Sequence, residues 1–316
     1  MYKLLFIKLL VLAGLFTICV TGESQNVSMR ISFLQNDEAI NQTTNFLMLN
    51  GCSDRVVHSF CRVLNWYNAS DTDLNTKRLS SSQNGFFPFQ TIEALTEKLD
   101  CPLIYAHHQP ELNCFDVVSL LAGDATTTKL SPDETSGPFF PAAVTTNADV
   151  VLRVVATPRD AFEKACPRWW IDASKTIYEG SLQDKRICLF AAFDSFYFLP
   201  SATTRENLRD RLFKVLQLSW QHDGITFPTN MDIVLFHSVD LDNCNSLVTH
   251  AGVLFPRKGG YVYIEKLGST GPYVRLDIAE KKDLFSWYKT AVKPTTDVGN
   301  PLFVTFNDTE IYDLDQ

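Results

Sequence analysis

Apolar residues recur at helical spacing through the first half of the chain. In the segment 54–67 the apolar helical positions are Val56, Val57, Phe60, Val63, Leu64 and Tyr67. This spacing places them on one face of a helix, where they can pack against a core. Asn36 or Asp37 is suited to cap another helix from Glu38 to Leu49. Two more helices are predicted over 91–99 and 114–123, and short strands over 29–34 and 150–155.

The second half of the chain consists mainly of short apolar runs with turns close between them, which is typical of strands. These runs cover residues 231–239, 247–255, 261–267, 273–278 and 302–306. Lys258, Gly259 and Gly260 predict a hairpin turn between two of them. The longer run from Ile187 to Leu199 also predicts one or two strands.

Two helices interrupt this strand-rich half. Thr203 and Glu206 have the spacing of a capping box, which predicts a helix from Thr204 to Trp220. The second helix is predicted over 282–291. Helices ahead of an antiparallel meander define an α+β fold, which is the fold class that we expect.

The first 22 residues have the layout of a secretory signal peptide. Lys3 and Lys8 precede an apolar run from Leu9 to Val20, and small residues follow at Thr21 and Gly22. The prediction is a signal peptide over 1–22 and one secreted domain over 23–316, and the alternative is an uncleaved N-terminal anchor. No later apolar run in the sequence reaches the roughly 20 residues of a spanning helix, so no membrane span is expected after the leader is removed.

The charge balance argues against a nucleic-acid partner. The chain has 28 Lys and Arg against 36 Asp and Glu, a net charge of -8, and no basic cluster. Four N-glycosylation sequons are usable if the source is a eukaryote. They begin at Asn26, Asn41, Asn68 and Asn307.

The mature chain has an odd number of cysteines. Eight are present, and Cys19 leaves with the leader. Because thiols tend to pair in an oxidising compartment, disulfides with one thiol left over are expected. The alternative is incomplete pairing with several buried free cysteines, since a protein of this size needs no disulfides to hold its core.

Cys114 is the candidate nucleophile. It follows the turn-forming pair Gln109 and Pro110, and it lies at the predicted start of an apolar helix. The N–H groups and partial positive charge of a helix N-terminus stabilise a thiolate, the attacking form of cysteine. The same groups can bind an oxyanion, for which the side-chain amide of Gln109 is a candidate second donor. On position alone, a buried structural cysteine is the alternative.

His250 is the candidate base, because it lies within a predicted strand whose backbone holds its direction. Gly252 beside it leaves room for a substrate backbone to approach. With the hairpin turn near Lys258, Glu265 on the next strand falls opposite or diagonal to His250 and can orient its ring. A register change of one residue would send Glu265 to the other face.

This order of a helix-starting cysteine, a His-x-Gly-Val strand and a polar residue on the next strand resembles the NlpC-type and papain-like cysteine hydrolases. A closer resemblance is to an uncharacterised family of secreted bacterial proteins and lipoproteins, the domain of unknown function numbered forty-three hundred. The stretches that carry it are Asn113-Cys114, 250–256, Ile264-Glu265-Lys266, Pro272-Tyr273 and Pro301-Leu302-Phe303 with Asn307.

The resemblance implies a papain-like (NlpC-type) fold, with N-terminal helices packed on a C-terminal antiparallel sheet. It also implies Cys114 as nucleophile, His250 as base and Glu265 as orienting residue. The chain departs from the NlpC-type pattern in two ways. Asn113-Cys114-Phe115 stands in place of Asp-Cys-Ser, and the third residue is Glu rather than His, Asn or Gln.

The resulting hypothesis is a secreted cysteine hydrolase, amidase- or peptidase-like, that cleaves an amide bond through a thioester at Cys114. Acyl transfer to an amine or hydroxyl would use the same residues. The expected partner is a peptide or other amide-containing substrate, and analogy with NlpC-type amidases suggests cell-wall peptide. No cofactor or metal is expected, because the sequence has no phosphate-binding loop, dinucleotide fingerprint or paired metal-ligand motif. The alternative is a catalytically inactive secreted interaction or adhesion module on a hydrolase-like fold.

Overall fold

The computed structural model describes most of the chain in segments. These are residues 29–70, 87–89, 114–135, 157–165, 181–193, 197–198, 204–242, 245–267, 272–292 and 299–315. The predicted signal peptide, the helix over 91–99, the strand over 150–155 and the sequon at Asn26 lie outside these residues. Among the described helices, none combines the length and the apolar character that crossing a membrane requires.

The described residues form helices that lie mainly ahead of the strands. The helices are α1 (Asp37–Leu49), α2 (Asp54–Ser70), α3 (Cys114–Leu121), α4 (Pro158–Ala165), α5 (Ser181–Phe193), α6 (Arg205–His222) and α7 (Asp283–Trp287), which a π-helical turn (Tyr288–Val292) continues. The strands are β1 (Met29–Phe33), β2 (Phe87–Phe89), β3 (Tyr197–Phe198), β4 (Asp232–Asp240), β5 (Asn245–Arg257), β6 (Gly260–Lys266), β7 (Tyr273–Ile278), β8 (Leu302–Phe306) and β9 (Glu310–Asp313).

All of these strands join one antiparallel sheet. Its order is β2-β1-β7-β6-β5-β4-β8-β9, and β3 pairs with the start of β5. Strands β4 to β7 are successive neighbours, as expected of a meander, while β1 crosses from the N-terminal end of the chain to pair with β7. The α+β class is therefore confirmed.

Both faces of the sheet are buried, and they face different parts of the chain. On β4, Ile233 and Leu235 belong to the apolar cluster that contains the residues of α1 to α6. Val234 and Phe236 alternate with them and join the cluster around Trp287 of α7. Because successive side chains on a strand point to opposite faces, neighbouring residues of β4 pack into different apolar clusters, one on each face of the sheet.

Several local predictions are confirmed. Asn36 caps α1, and its side-chain oxygen accepts a hydrogen bond from the Ala39 backbone N–H at 2.7 Å. The hairpin between β5 and β6 turns at Lys258 and Gly259, where Gly259 has a φ of 81°. Glycine adopts this left-handed conformation without the steric penalty of a Cβ.

The prediction of strands from Ile187 to Leu199 is wrong for most of that run. Residues up to Phe193 belong to helix α5, and only Tyr197 and Phe198 form a strand. The residues from Ile187 to Phe193 are all buried, and Phe190 packs against the rings of Phe115 and Phe162. A helix buried on every side has no polar face, so its apolar run cannot be distinguished from that of a buried strand by periodicity.

Two smaller predictions also differ from the structure. Helix α6 begins at Arg205, and its N-cap is Thr204, whose side chain makes no capping hydrogen bond. The helix therefore begins one residue later than predicted, and its N-cap is Thr204 rather than Thr203. The polar strand β9 was not predicted. It lies at the exposed edge of the sheet and lacks the alternation of apolar and polar residues by which a half-buried strand is identified.

The described cysteines are unpaired. Cys52, Cys61, Cys114 and Cys188 are all free thiols. The expected disulfides therefore do not involve these four residues. Burial takes the place of cross-linking, since each of them lies at least partly within the core.

The three described sequons differ in accessibility. Asn41 is exposed on α1, whereas the Asn68 amide donates a hydrogen bond to the Leu34 carbonyl at 2.9 Å. Asn307 is buried in the turn between β8 and β9, with a φ of 49°. Its Nδ2 lies within hydrogen-bond distance of the Pro228 and Met231 carbonyls. A glycan on Asn307 is incompatible with this geometry.

Candidate active site

Cys114 is the first residue of α3 and is a buried free thiol. Every residue of this helix is buried, and the helix packs across β5 and β6. The apolar side chains that follow Cys114 hold the helix against the sheet, so the sulfur and the N-terminal N–H groups of the helix have a defined position. Gln109, the candidate second oxyanion donor, lies outside the described residues.

His250 links the cysteine to the sheet. Its ring is 1 % exposed, the charge of Cys114 acts on it, and its Nε2 forms a hydrogen bond of 2.5 Å with Glu265 Oε2. The structure thus brings the three candidate residues, Cys114, His250 and Glu265, into one buried series, in which the histidine and the carboxylate are hydrogen-bonded. The thiol comes from a helix of the first half, and the imidazole and carboxylate come from adjacent strands of the second half.

The strand register explains why Glu265 reaches His250. Glu265 is paired with Gly252, two residues along β5 from His250, so the two side chains are diagonal neighbours on the same face. The diagonal placement expected from the turn is confirmed. On the other side of β5, Phe236 pairs with His250 but His237 pairs with Val248, which leaves Thr249 as a bulged residue. Bulges of this kind redirect side chains next to functional sites.

Trp287 is the fourth residue of the series, next to Glu265, and no motif in the sequence predicts its position. Its indole Nε1 donates a short hydrogen bond to Glu265 Oε1, the oxygen that does not face His250. Both carboxylate oxygens therefore have a buried donor. The only available signal was the general rule that a buried tryptophan needs an acceptor for its N–H, which does not say where the acceptor lies.

The charge of His250 depends on its neighbours. Burial by itself lowers the pKa of an imidazole, but the negative charges of Glu265 and Cys114 outweigh it and raise the pKa of His250 to about 10. The ring is consequently an imidazolium at neutral pH.

Gly252 has a different role from the one predicted. A Cβ on this residue would overlap the hydroxyl and ring of Tyr263, which lies against the glycine from β6. The space that was expected to admit a substrate backbone is filled by this ring. Burial and the nearby Glu265 carboxylate raise the pKa of Tyr263 well above its usual value, so it stays a neutral phenol beside the series.

Replacing Gly252 with alanine should lower the free energy of unfolding by about 1–3 kcal/mol, because the added methyl must displace a packed ring. Urea denaturation measures this cost. In the double variant Gly252→Ala/Tyr263→Ala the clash is relieved, so the double variant should lose less stability than the sum of the two single variants. If the loss in free energy of unfolding of the double variant equals the sum of the two single losses, the Tyr263 ring does not occupy this space.

The other described histidines are placed differently. His237 is buried, burial lowers its pKa to about 3, and its Nε2 lies 3.2 Å from Thr305 Oγ1. It is a neutral core residue. His222 pairs with the adjacent Asp223, and His58 is exposed on α2. Within the described segments, no group of three or more His, Cys, Asp or Glu side chains is arranged to hold a metal ion.

A buried ion pair supports the helix that carries the cysteine. Asp116 lies two residues after Cys114 and forms an ion pair with Arg186 of α5, with 2.5 Å between Asp116 Oδ1 and Arg186 Nε. Both side chains are almost fully buried. The Arg186 guanidinium also lies over the Phe162 ring, 5.0 Å from its centroid. This pair ties the first turn of α3 to α5, and no residue spacing in the sequence predicts it.

Comparison with known proteins gives one match. No curated protein and no solved structure matches the chain. A family model described as "Domain of unknown function (DUF4300)" matches residues 180–311, less than half of the chain. The matched span contains His250, Glu265 and Trp287 but begins after Cys114. The chain is therefore similar to DUF4300 from α5 through the antiparallel sheet that presents the imidazole and the carboxylate.

Proposed function

We propose that this chain is a cysteine hydrolase that cleaves an amide bond through a thioester on Cys114. The observation that carries the proposal is the buried series in which His250 is hydrogen-bonded to Glu265 and lies within the electrostatic influence of the Cys114 thiol. A nucleophile, a base and a third group that orients the base are the parts that covalent acyl transfer requires. The free state of Cys114 favours an active thiol over a structural disulfide.

The resting site would hold a thiolate beside an imidazolium. The Cys114 sulfur attacks the carbonyl carbon of the amide, and the carbonyl oxygen becomes an oxyanion that backbone N–H groups at the start of α3 can stabilise. His250 then gives its proton to the amide nitrogen, the C–N bond breaks and the amine leaves. The acyl group remains on the sulfur as a thioester.

Water completes the cycle. The neutral His250 takes a proton from a water molecule as its oxygen attacks the thioester carbonyl. The carbon–sulfur bond breaks, which releases the carboxylic acid and restores the thiolate and imidazolium. Glu265 keeps the ring oriented and stabilises its positive charge throughout, while the Trp287 N–H holds the carboxylate. An amine or hydroxyl in place of water would give acyl transfer.

The fold of the enzyme is proposed to be papain-like. The supporting features are a helix-starting cysteine that packs on an antiparallel sheet and a histidine on a central strand of that sheet. The layout of residues 1–22 supports the further proposal that the enzyme is exported. Its substrate is then an extracytoplasmic peptide or other amide, and cell-wall peptide is one such substrate.

Limited alkylation with iodoacetamide tests the proposal. At about pH 6, well below the usual thiol pKa of about 8.5, only a stabilised thiolate reacts quickly. We expect Cys114 to be labelled at least about tenfold faster than the other described cysteines, as mapped by peptide mass spectrometry. Cys188 is the matched control because it is equally buried, and burial raises its pKa to about 11.

A second probe tests the acyl transfer itself. p-Nitrophenyl acetate should acetylate Cys114 with release of p-nitrophenol, and the acetyl group should then be lost to water. The variant Cys114→Ser should neither label nor turn over at a comparable rate. Labelling that avoids Cys114 would refute the enzyme hypothesis, and a labelled Cys114 that never accepts an acyl group would favour the inactive interaction module.

A further inference from the structure

Tyr288 is a buried tyrosine whose hydroxyl lies next to the proposed base. It follows Trp287 and begins the π-helical turn that continues α7. The side chain is completely buried, and its hydroxyl oxygen is 2.5 Å from Thr249 Oγ1. Thr249 directly precedes His250 in β5 and is the extra residue of the bulge opposite β4. A side chain from outside the sheet therefore holds the residue next to the histidine.

Two hydrogen bonds connect Tyr288 to the strand that pairs with β5. Thr249 Oγ1 donates to the Phe236 carbonyl on β4 at 3.3 Å. A threonine hydroxyl has only one proton to donate, so the Tyr288 O–H is the donor in the bond to Thr249. The extra residue of a bulge lacks a regular ladder partner. These side-chain bonds therefore supply the contacts that hold Thr249 in place.

The position of the bulge affects the direction of the His250 ring. In the observed register Phe236 pairs with His250, and Thr249 is the extra residue. If Thr249 paired with Phe236 instead, His250 would become the extra residue and would leave its place opposite Phe236. Because a bulge redirects the side chains of its own residues, that change would turn the ring away from Glu265. The hydrogen bond from Tyr288 to Thr249 therefore favours the register in which His250 reaches the carboxylate.

The Tyr288 ring also lies beside the histidine. It is stacked on the Phe236 ring, with centroids 4.3 Å apart and planes 6° from parallel. The His250 ring centroid is 5.9 Å from that of Phe236 and 6.3 Å from that of Tyr288. The preceding residue, Trp287, donates to the Glu265 carboxylate. Two consecutive residues at the start of a π-helical turn, a conformation that is frequent at functional sites, thus support the base and its carboxylate.

We propose that Tyr288 is a positioning residue of the active site, whose hydroxyl fixes the Thr249 bulge and thereby keeps the His250 ring directed at Glu265. This inference rests on the proposed function, because it assigns a support to the base of that reaction. Tyr288 acts through Thr249 and His250 and makes no contact with the reacting atoms. Its loss should therefore disturb the orientation of the ring more than the stability of the fold.

Acetylation of Cys114 by p-nitrophenyl acetate tests the inference on the full chain. Tyr288→Phe keeps the stacked ring and removes only the hydroxyl, so it should slow acetylation by about tenfold, the scale of one lost hydrogen bond. Thr249→Val removes the acceptor and should slow it at least as much, whereas Thr249→Ser keeps a hydroxyl and should retain the wild-type rate. Since both hydroxyls act through one bond, Tyr288→Phe/Thr249→Val should be no slower than Thr249→Val alone.

Thr309→Val is the matched control. Thr309 Oγ1 also donates to a backbone carbonyl, that of Phe306 at 2.9 Å, but it lies in the turn between β8 and β9. This variant should acetylate at the wild-type rate. Wild-type rates in both Tyr288→Phe and Thr249→Val would overturn the inference, and so would a double variant in which the two rate losses multiply.

The hydrogen bond between His250 Nε2 and Glu265 gives a readout that needs no reactive cysteine. A proton held between a ring nitrogen and a carboxylate at 2.5 Å gives a resonance far downfield in the NMR spectrum. This resonance should broaden or move upfield in Tyr288→Phe, or in Thr249→Val if the first variant does not fold, and should stay in place in Thr309→Val. An unchanged resonance would overturn the inference. If wild-type Cys114 accepts no acetyl group, the proposed function fails, and the resonance alone then decides the role of Tyr288.

Discussion

Replacing Glu265 with glutamine should slow acetylation of Cys114 by p-nitrophenyl acetate about 10²–10⁴-fold at neutral pH, the range attributed to a positioned proton-transfer group. Glutamine has nearly the same size and can still accept the Trp287 hydrogen bond. It lacks the negative charge that holds the proton on His250. Burial then favours the neutral ring, so the imidazolium that stabilises the thiolate is lost at pH 7.

The same variant should change the pH dependence of stability. The folded-state pKa of His250, about 10, lies above the usual value of 6.5. Its contribution to the free energy of unfolding is therefore complete below pH 6.5 and is lost as the pH rises towards 10. Glu265→Gln removes this contribution, so the stability difference between wild type and variant should narrow over that interval in urea unfolding experiments.

Glu310→Gln provides the control for both measurements. Glu310 also carries an ion pair, with Lys281 at 2.8 Å, but its side chain is partly exposed and far from Cys114 in the strand order. Neither the acetylation rate nor the stability profile above pH 6.5 should change appreciably. A Glu265→Gln variant that behaves like Glu310→Gln would contradict the assigned role of the carboxylate.

Replacing Arg186 with methionine should lower the free energy of unfolding by about 3–5 kcal/mol, because it leaves the Asp116 carboxylate buried without its ionic partner. The pair joins α5 to the first turn of α3 and is almost fully buried on both sides. Urea denaturation followed by circular dichroism measures the loss. Since α3 carries Cys114, the alkylation rate of the surviving folded protein should also decrease.

Arg55→Met is the matched control, since Arg55 and Asp124 form a 2.6 Å pair at the surface. Exposed pairs contribute about 0–1 kcal/mol, so little stability should be lost. In the double variant Arg186→Met/Asp116→Leu neither charge of this ion pair remains, and most of the loss should be recovered. Equal costs for Arg186→Met and Arg55→Met would show that the Asp116 pair is not buried in solution.

Much of the sheet could be predicted because the relevant information is local. The bounds of β7 and β8 match their apolar runs, and the glycines of the β5–β6 turn set the register between those strands. That register was sufficient to place Glu265 opposite or diagonal to His250, and the structure shows the diagonal arrangement. The cap at Asn36 is equally local, since it depends on the side chain of one residue and a backbone N–H three residues away.

The errors share one physical origin, which is contact between distant segments. The part of helix α5 over residues 187–193 was predicted as strand because all of these residues are buried, so the run shows no polar face. Gly252 was interpreted as an open approach for substrate, but the Tyr263 ring fills that space. Neither contact follows from residue spacing, because each depends on which faces pack together.

The sequence by itself determined the α+β class, the central hairpin and the three residues Cys114, His250 and Glu265 as candidates, because periodicity, turn chemistry and strand register are local properties. Only the tertiary structure decided that the charge of Cys114 acts on His250 and that Trp287 holds the carboxylate. It also decided that Arg186 lies buried against Asp116 in the first turn of α3. Burial and charge interactions between segments far apart in the chain arise only when two faces meet, and they set the protonation of the site.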